Sequence, residues 1–287
     1  AGPIVKYSDF AHQIDNRTIT PQMTAEGIKR FITGLSKKLL IANTMAYAAD
    51  YVYSLDTSEL SIPLAWLGAL SYLFQIYFDF SGYSDMAIGL GAMFGFTFKE
   101  NFNYPYISQS MQEFWRRWHI SVSSWFKEYL YIPLGGNRKG KVRTAINKLI
   151  VFFCTGLWHG ASLNFIVWGL LNGVFLMIES YGIINTTKWF RPLRHIYALL
   201  VTILAFVFFR ADNLTIACQY IGHMFKPSGG TTQWIMFVEQ LTPLYLVVFV
   251  FAIIFSMPVM EKIKVSAKGK KSAAIYEFST YGISMVL

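Results

Sequence analysis

The sequence predicts an all-α, polytopic membrane protein, and three observations carry that prediction. Of 287 residues, 54% are hydrophobic and only 14% charged, whereas charged side chains make up about a quarter of an ordinary soluble domain. Apolar runs at 62–78, 163–178, 195–209 and 241–257 approach the roughly 20 residues that a bilayer crossing takes. The basic residues gather between such runs: Arg138, Lys139, Lys141, Arg143 and Lys148, then Lys188, Arg191 and Arg194, then Lys262, Lys264, Lys268, Lys270 and Lys271. This is the positive-inside pattern, so the net charge of +9 marks cytosolic loops beside a lipid bilayer and no nucleic-acid partner is expected.

With those loops in the cytosol, 149–178 runs out and back as a hairpin, 195–209 runs out, 241–257 returns, and 212–240 faces outward. The run 273–287 begins as a further span. The chain opens on Ala1-Gly2-Pro3-Ile4, with no initiator Met and no signal peptide, and is read as an excerpt of a longer chain whose earlier helices are missing. The whole, 1–287, is taken as one transmembrane unit without internal repeats.

In chain order, 6–30 is polar and predicts a surface loop, followed by a basic amphipathic start in which Arg30, Lys37 and Lys38 lead into the short apolar stretch 39–49. That stretch cannot cross alone and suits an interfacial or partly buried helix. After the first span, Asp79-Phe80-Ser81-Gly82-Tyr83-Ser84-Asp85 predicts a turn, with Ser84 or Asp85 capping a small-residue helix in which Gly91 and Gly95 form a packing face. Asn101-Phe102-Asn103-Tyr104-Pro105 breaks that helix, because the residue before proline avoids the helical region. Ser110 and Glu113 have capping-box spacing and start one amphipathic helix. Its aromatic half holds Phe114, Trp115, Trp118, His119, Val122, Trp125, Phe126, Tyr129 and Leu130. Arg116, Arg117, Ser121, Ser123, Ser124, Lys127 and Glu128 dominate the other half, and Pro133, Gly135 and Gly136 end it.

The chemistry-bearing candidates follow from what a bilayer makes expensive. His159, in Trp158-His159-Gly160-Ala161-Ser162, lies between two apolar runs, and a titratable ring at membrane depth is costly unless a partner or a wet cavity meets it. Small neighbours at Gly156, Gly160, Ala161 and Ser162 clear space around it, and Asn164 offers a partner. His119 is a second imidazole on an aromatic face; a buried imidazole stays neutral and can accept a proton, so the pair suggests acid-base work on a hydroxyl. Asp79 could pair with an arginine or orient a histidine, while Asp85 reads better as a cap. Arg116 and Arg117 either steer an anionic donor or anchor the helix to headgroups. Cys154 lies five residues before His159, a poor helical spacing for a nucleophile and its base. Cys154 and Cys218 form no disulfide framework, and no carboxylate or thiolate completes a metal shell around the histidines, so no metal is expected.

The segments Tyr77-Phe78-Asp79-Phe80-Ser81-Gly82-Tyr83-Ser84-Asp85, Asn101-Phe102-Asn103-Tyr104-Pro105-Tyr106, Glu113-Phe114-Trp115-Arg116-Arg117-Trp118-His119-Ile120-Ser121, Tyr131-Ile132-Pro133-Leu134-Gly135-Gly136-Asn137-Arg138 and Thr155-Gly156-Leu157-Trp158-His159-Gly160-Ala161-Ser162 resemble the membrane-bound O-acyltransferase family. The resemblance runs from Gly2-Pro3-Ile4 to at least Ser162. It is strongest to the bacterial branch that acetylates alginate, other exopolysaccharides or peptidoglycan. The branch that transfers D-alanine to teichoic acids is similar at the histidines but lacks the Ile-Pro-Leu-Gly-Gly-Asn-Arg run.

The resemblance implies a multi-helix fold with a funnel through the bacterial cytoplasmic membrane, with His159 matching the family's essential histidine and His119 its second. It further implies an acyl donor such as acetyl-CoA or another cytosolic thioester, with no permanently bound cofactor. A polysaccharide hydroxyl outside would be the acceptor, and a secreted or membrane-anchored acetyltransferase the partner. On this reading His159 is the general base, His119 orients the thioester or assists its leaving group, and Asp79, Arg116, Arg117 and Asn164 contact substrate. Two readings compete: a transporter or flippase with His159 as proton relay, which should show paired broken helices in both halves, and a scaffold that recruits an outside acetyltransferase without reacting.

Overall fold

The computed structural model describes residues 3–259, and among these every regular element is helical. Lys262, Lys264, Lys268, Lys270, Lys271 and the run 273–287 lie outside the described residues.

The predicted N-terminal surface loop is replaced by two helices, α1 (Tyr7–Asn16) and α2 (Pro21–Ser36). Thr20 caps α2 by accepting from the Met23 amide at 3.2 Å, and Pro21 fills the first helical position, where its missing N–H costs nothing. A wide π turn, Lys37–Ala42, carries α2 directly into α3 (Asn43–Ser54). The buried residues of α2 are Gly27 and Gly34, so its packing face carries no apolar signal.

Those glycines meet α4 (Ile62–Met93), a 32-residue helix about 48 Å long at 1.5 Å per residue. It passes straight through 79–85, where the sequence predicts a turn. Gly82 serves close approach instead: a Cβ there would stand 2.6 Å from the Gly34 carbonyl oxygen, and one at Gly89 equally close to that of Gly27. The small-residue face is therefore Gly82 and Gly89. Gly91 faces the Phe98 ring, and Gly95, with φ +78°, lies past the helix end. With its flanks against α2 and α3, α4 forms the middle of the protein and buries Leu64, Phe74, Tyr77 and Phe78.

Asp85 is no cap but the hub of an ion network. It accepts from Arg30 at 2.8 and 3.1 Å and from Lys37 at 2.6 Å, while Arg30 also holds Glu100. Asp85→Ala should lower stability by about 1.5–3 kcal/mol, the range for hydrogen bonds to charged groups, because two cations would then face each other without the carboxylate, which is itself only 14% exposed. Thermal melts of the detergent-solubilised protein check this, and an unchanged midpoint would show the network to be idle.

Past α4, Tyr104 takes the left-handed conformation (φ 46°) before Pro105, and the chain enters α5 (Met111–Arg117). Ser110 caps α5 as its spacing predicts, accepting from the Glu113 amide at 3.1 Å. The Glu179 carboxylate accepts from the Met111 and Gln112 amides at 2.7 and 3.0 Å and seats the helix. The single amphipathic helix expected from here is broken: α6 (Ile120–Phe126) is separate, and a π turn, Lys127–Tyr131, follows it.

Then α7 (Gly140–His159) and α8 (Leu163–Ser180) form the predicted hairpin. Lys141, Arg143 and Lys148, expected in a loop, lie on the first half of α7. The chain continues through α9 (Arg191–Arg210), α10 (Leu214–Phe225), α11 (Thr231–Gln240) and α12 (Pro243–Phe255). Among the described residues α8 and α9 are long and apolar enough to cross a membrane; α11 and α12 qualify only together and are bent by 69°. The run 241–257 is thus the 13-residue α12 rather than a straight span. The run 62–78 sits inside α4, where Tyr72, Gln75 and Tyr77 dilute its apolarity and protein covers much of its surface.

Candidate active site

His159 is the last residue of α7, and Ser162 caps α8 three residues on, so the helices do break at the histidine. Its half-buried ring sits in an aromatic cup, with centroids 4.7 Å from Trp158, 5.0 Å from Trp168, 5.1 Å from Phe209 and 6.2 Å from Phe165. No hydrogen bond from the described residues reaches it. The imidazole is therefore packed among aromatic rings, partly exposed, and uncommitted to any hydrogen bond among the described residues.

His119 stands at the break between α5 and α6, only 3% exposed. Its backbone is left-handed, φ 44° and ψ 54°, at a cost of roughly 1–2 kcal/mol for a residue with a Cβ. The break is imposed from outside the helix: the Ile120 amide donates to the Asn101 carbonyl and the Asn103 amide to the Arg117 carbonyl, each at 2.9 Å. The His119 ring meets Phe80 edge-on at 4.6 Å and lies 6.0 Å from Trp158. One indole, Trp158, thus touches both imidazoles. Three buried polar atoms around them have no partner among the described residues: His119 Nε2, Trp168 Nε1 and Asn164 Oδ1. Such orphans cost about 1–3 kcal/mol each unless water or a ligand meets them, and others occur away from the histidines, at Tyr53, Gln75, Ser81, Asn147 and Tyr197.

The other candidates separate. Asp79 pairs with Lys38 rather than an arginine or histidine, and it is the neighbouring Phe80 that touches His119. Arg117 is committed to Glu113 at 2.9 Å and to the Asn103 carbonyl at 3.1 Å. Arg116 is exposed and lines a cavity of about 420 Å³ with Ser110, Gln112, Glu179, Asn185 and Thr187. Asn164 is buried and donates to the Ala211 carbonyl at 2.6 Å, tying the start of α8 to the end of α9; it also lines a cavity of about 510 Å³ with Ser162, Asn213 and Thr215. Cys154 is a half-buried free thiol. Among the described residues no three His, Cys, Asp or Glu side chains gather as a metal site.

Asn101 was not a sequence candidate. It is 1% exposed, and its Oδ1 lies 3.2 Å from His119 Nδ1 and 2.8 Å from Ser121 Oγ. Its position before a proline-containing turn marks a break, but nothing local to it points at residues 119–121. The cup residues Trp168 and Phe209 were missed because each reads as one more apolar residue in a span.

The sequence profile of the membrane-bound O-acyltransferase family matches residues 1–220, which include both histidines. The chain belongs to this family. Within it, the chain is 50% identical over 227 residues to the protein named "Probable alginate O-acetylase AlgI" of Pseudomonas fluorescens, covering 79% of this chain and 46% of that one. It is 44% identical over 236 residues to the peptidoglycan O-acetyltransferase of Helicobacter pylori, covering 80% and 45%. To the teichoic acid D-alanyltransferase of Bacillus subtilis it is 29% identical over 196 residues, covering 63% and 48%. The chain spans about half the length of the curated relatives it matches.

Proposed function

We propose that the full-length protein is a multi-pass O-acyltransferase of the bacterial cytoplasmic membrane. It takes an acyl group, most simply acetyl, from a cytosolic thioester such as acetyl-CoA and delivers it to a hydroxyl of an extracytoplasmic polysaccharide, working with a secreted or membrane-anchored acetyltransferase partner. The observation that carries the proposal is the pairing of an uncommitted imidazole, His159, with a buried one, His119, across the Trp158 ring.

A thioester is already activated, so the site needs no nucleophilic serine or cysteine; it needs a base, aligned reactants and little water. His159 takes the proton of the attacking hydroxyl while the new C–O bond forms and the C–S bond breaks, its electron pair leaving on sulfur. The aromatic cup excludes water, and His119 orients the reacting groups beside Trp158. Asn164 holds the outward end of the hairpin. Asp79 and Arg117, engaged by Lys38 and Glu113, act by fixing the elements around the site.

Arg116, exposed beside a polar cavity, is the donor-side candidate. Its loss should raise KM for acetyl-CoA about five-fold, the effect of about 1 kcal/mol of binding, with kcat nearly unchanged. Steady-state kinetics on the Arg116→Ala protein check this, and an unaltered KM would remove the residue from the donor site.

The activity itself is tested with membranes holding the full-length protein and its partner, supplied with radiolabelled acetyl-CoA and either a de-acetylated polyuronate or peptidoglycan fragments. Label is expected on one acceptor as a base-labile ester. Label that never leaves acetyl-CoA would end the acyltransferase assignment and return the transporter reading.

A further inference from the structure

We infer that Asn101 is a positioning residue that fixes which nitrogen of His119 carries the proton, leaving Nε2 with a bare lone pair. The inference deepens the function proposed above and rests on it for the claim that His119 belongs to the reacting site.

Three groups converge on Asn101 Oδ1: the Ser121 amide at 3.1 Å, the Ser121 hydroxyl at 2.8 Å and the His119 Nδ1 atom at 3.2 Å. A backbone amide can only donate, so the atom facing it must be the oxygen of the Asn101 side chain; a flipped amide would set two donors against each other. The other end agrees, since Asn101 Nδ2 donates to Ser84 Oγ on α4 at 3.1 Å. The serine hydroxyl is directed as well. Its oxygen accepts from the Ile4 amide at 3.1 Å, and its proton points to Asn101 rather than to His119 Nδ1, which lies at 3.5 Å. His119 Nδ1 therefore faces an oxygen with only lone pairs to offer, and that contact is attractive only if Nδ1 carries the hydrogen. A neutral imidazole has one such hydrogen, so Nε2 has none. Nε2 is the buried atom without a partner among the described residues.

The consequence narrows the role of His119. A resting ring with a bare Nε2 accepts a hydrogen bond and cannot protonate the departing sulfur. It can orient the acceptor by taking a hydrogen bond from a neighbouring hydroxyl, while His159 receives the proton of the attacking one and the thiolate leaves. The same asparagine also enforces the left-handed backbone that aims the ring, because its carbonyl accepts from the Ile120 amide at 2.9 Å. One residue thus sets both direction and tautomer.

The test is nitrogen NMR of the full-length protein with isotope-labelled histidine rings, the His119 signals being those lost in His119→Gln. The wild type should show Nδ1 protonated and Nε2 bare. Asn101→Ala should give a mixture of tautomers and a kcat lowered about 10²- to 10⁴-fold, with KM changed by less than about three-fold. Asn101→Asp keeps an acceptor oxygen and should restore the single tautomer and most of the rate. A wild-type spectrum with the proton on Nε2, or an Asn101→Ala protein with unaltered kcat, would overturn the inference. Should the alanine variant fail to accumulate in membranes, the wild-type spectrum and the aspartate variant decide. The spectrum needs no turnover, so an absence of acetyl transfer would overturn the reaction assignment alone, and a proton on Nε2 would overturn the tautomer lock alone.

Discussion

His159→Ala is expected to abolish acetyl transfer to the level left by orientation and water exclusion, a fall in kcat of about 10²- to 10⁴-fold, the usual worth of a positioned general base. The fold should survive the change. No hydrogen bond from the described residues ends on the His159 ring, so its removal strands no buried partner and costs only ring packing in a cup whose other walls, Trp158, Trp168 and Phe209, also touch one another or their neighbours. His119→Ala differs in this respect, because it withdraws a donor from Asn101 in the buried core. The comparison is made on membranes matched for protein content, with initial rates at saturating acetyl-CoA. His159→Gln, which keeps a polar side chain but no usable base, should be as slow as the alanine variant. Turnover at the wild-type rate in either would remove His159 from the chemistry and leave the scaffold reading to be tested.

The two breaks that build this site differ in how far the sequence discloses them. At 159–163 the signals are local: glycine follows the histidine, and Ser162 stands where α8 needs a cap. At 118–119 the aromatic periodicity runs on unbroken, because Phe114, Trp118 and Val122 remain buried on both sides of the break. What interrupts the helix is a set of hydrogen bonds from the 101–103 segment, a tertiary cause that no local pattern carries. Gly82 shows the reverse error. Glycine between two aspartates is the composition of a turn, yet here it lets α4 approach α2, and Asp79 and Asp85 are free to sit in mid-helix because Lys38, Lys37 and Arg30 come from the facing elements. The all-α fold class and the two candidate histidines could be picked out because apolar run length and an imidazole set among apolar residues are properties of single segments. The partners of those rings belong to the packing.

Packing also sets the second large effect, at Gly169. A Cβ placed there would strike the Phe152 carbonyl oxygen and lie 3.2 Å from Gly156 Cα, both atoms of the α7 backbone, which cannot swing aside as a side chain can. Gly169→Ala must therefore spread the α7–α8 hairpin, with a cost of at least the 1–3 kcal/mol or so typical of overpacking. Trp168, one residue earlier, is a wall of the His159 cup, and Trp115 packs on it at 5.8 Å. Spreading the hairpin moves that wall from the imidazole, and displacement by about 1 Å can cost 10²-fold in rate. The variant should lose both melting temperature and turnover. Gly222 gives the matched control, being a helical glycine in α10 with nothing within 4 Å of a built Cβ. There alanine should stabilise the protein by up to about 1 kcal/mol through helix propensity and reduced freedom of the unfolded chain, with activity unchanged. Opposite signs at two glycines under one substitution separate close helix packing from any general intolerance of alanine. If Gly169→Ala melts and turns over like the wild type, the hairpin is not packed backbone to backbone, and the cup around His159 does not have the geometry on which its role as a base depends.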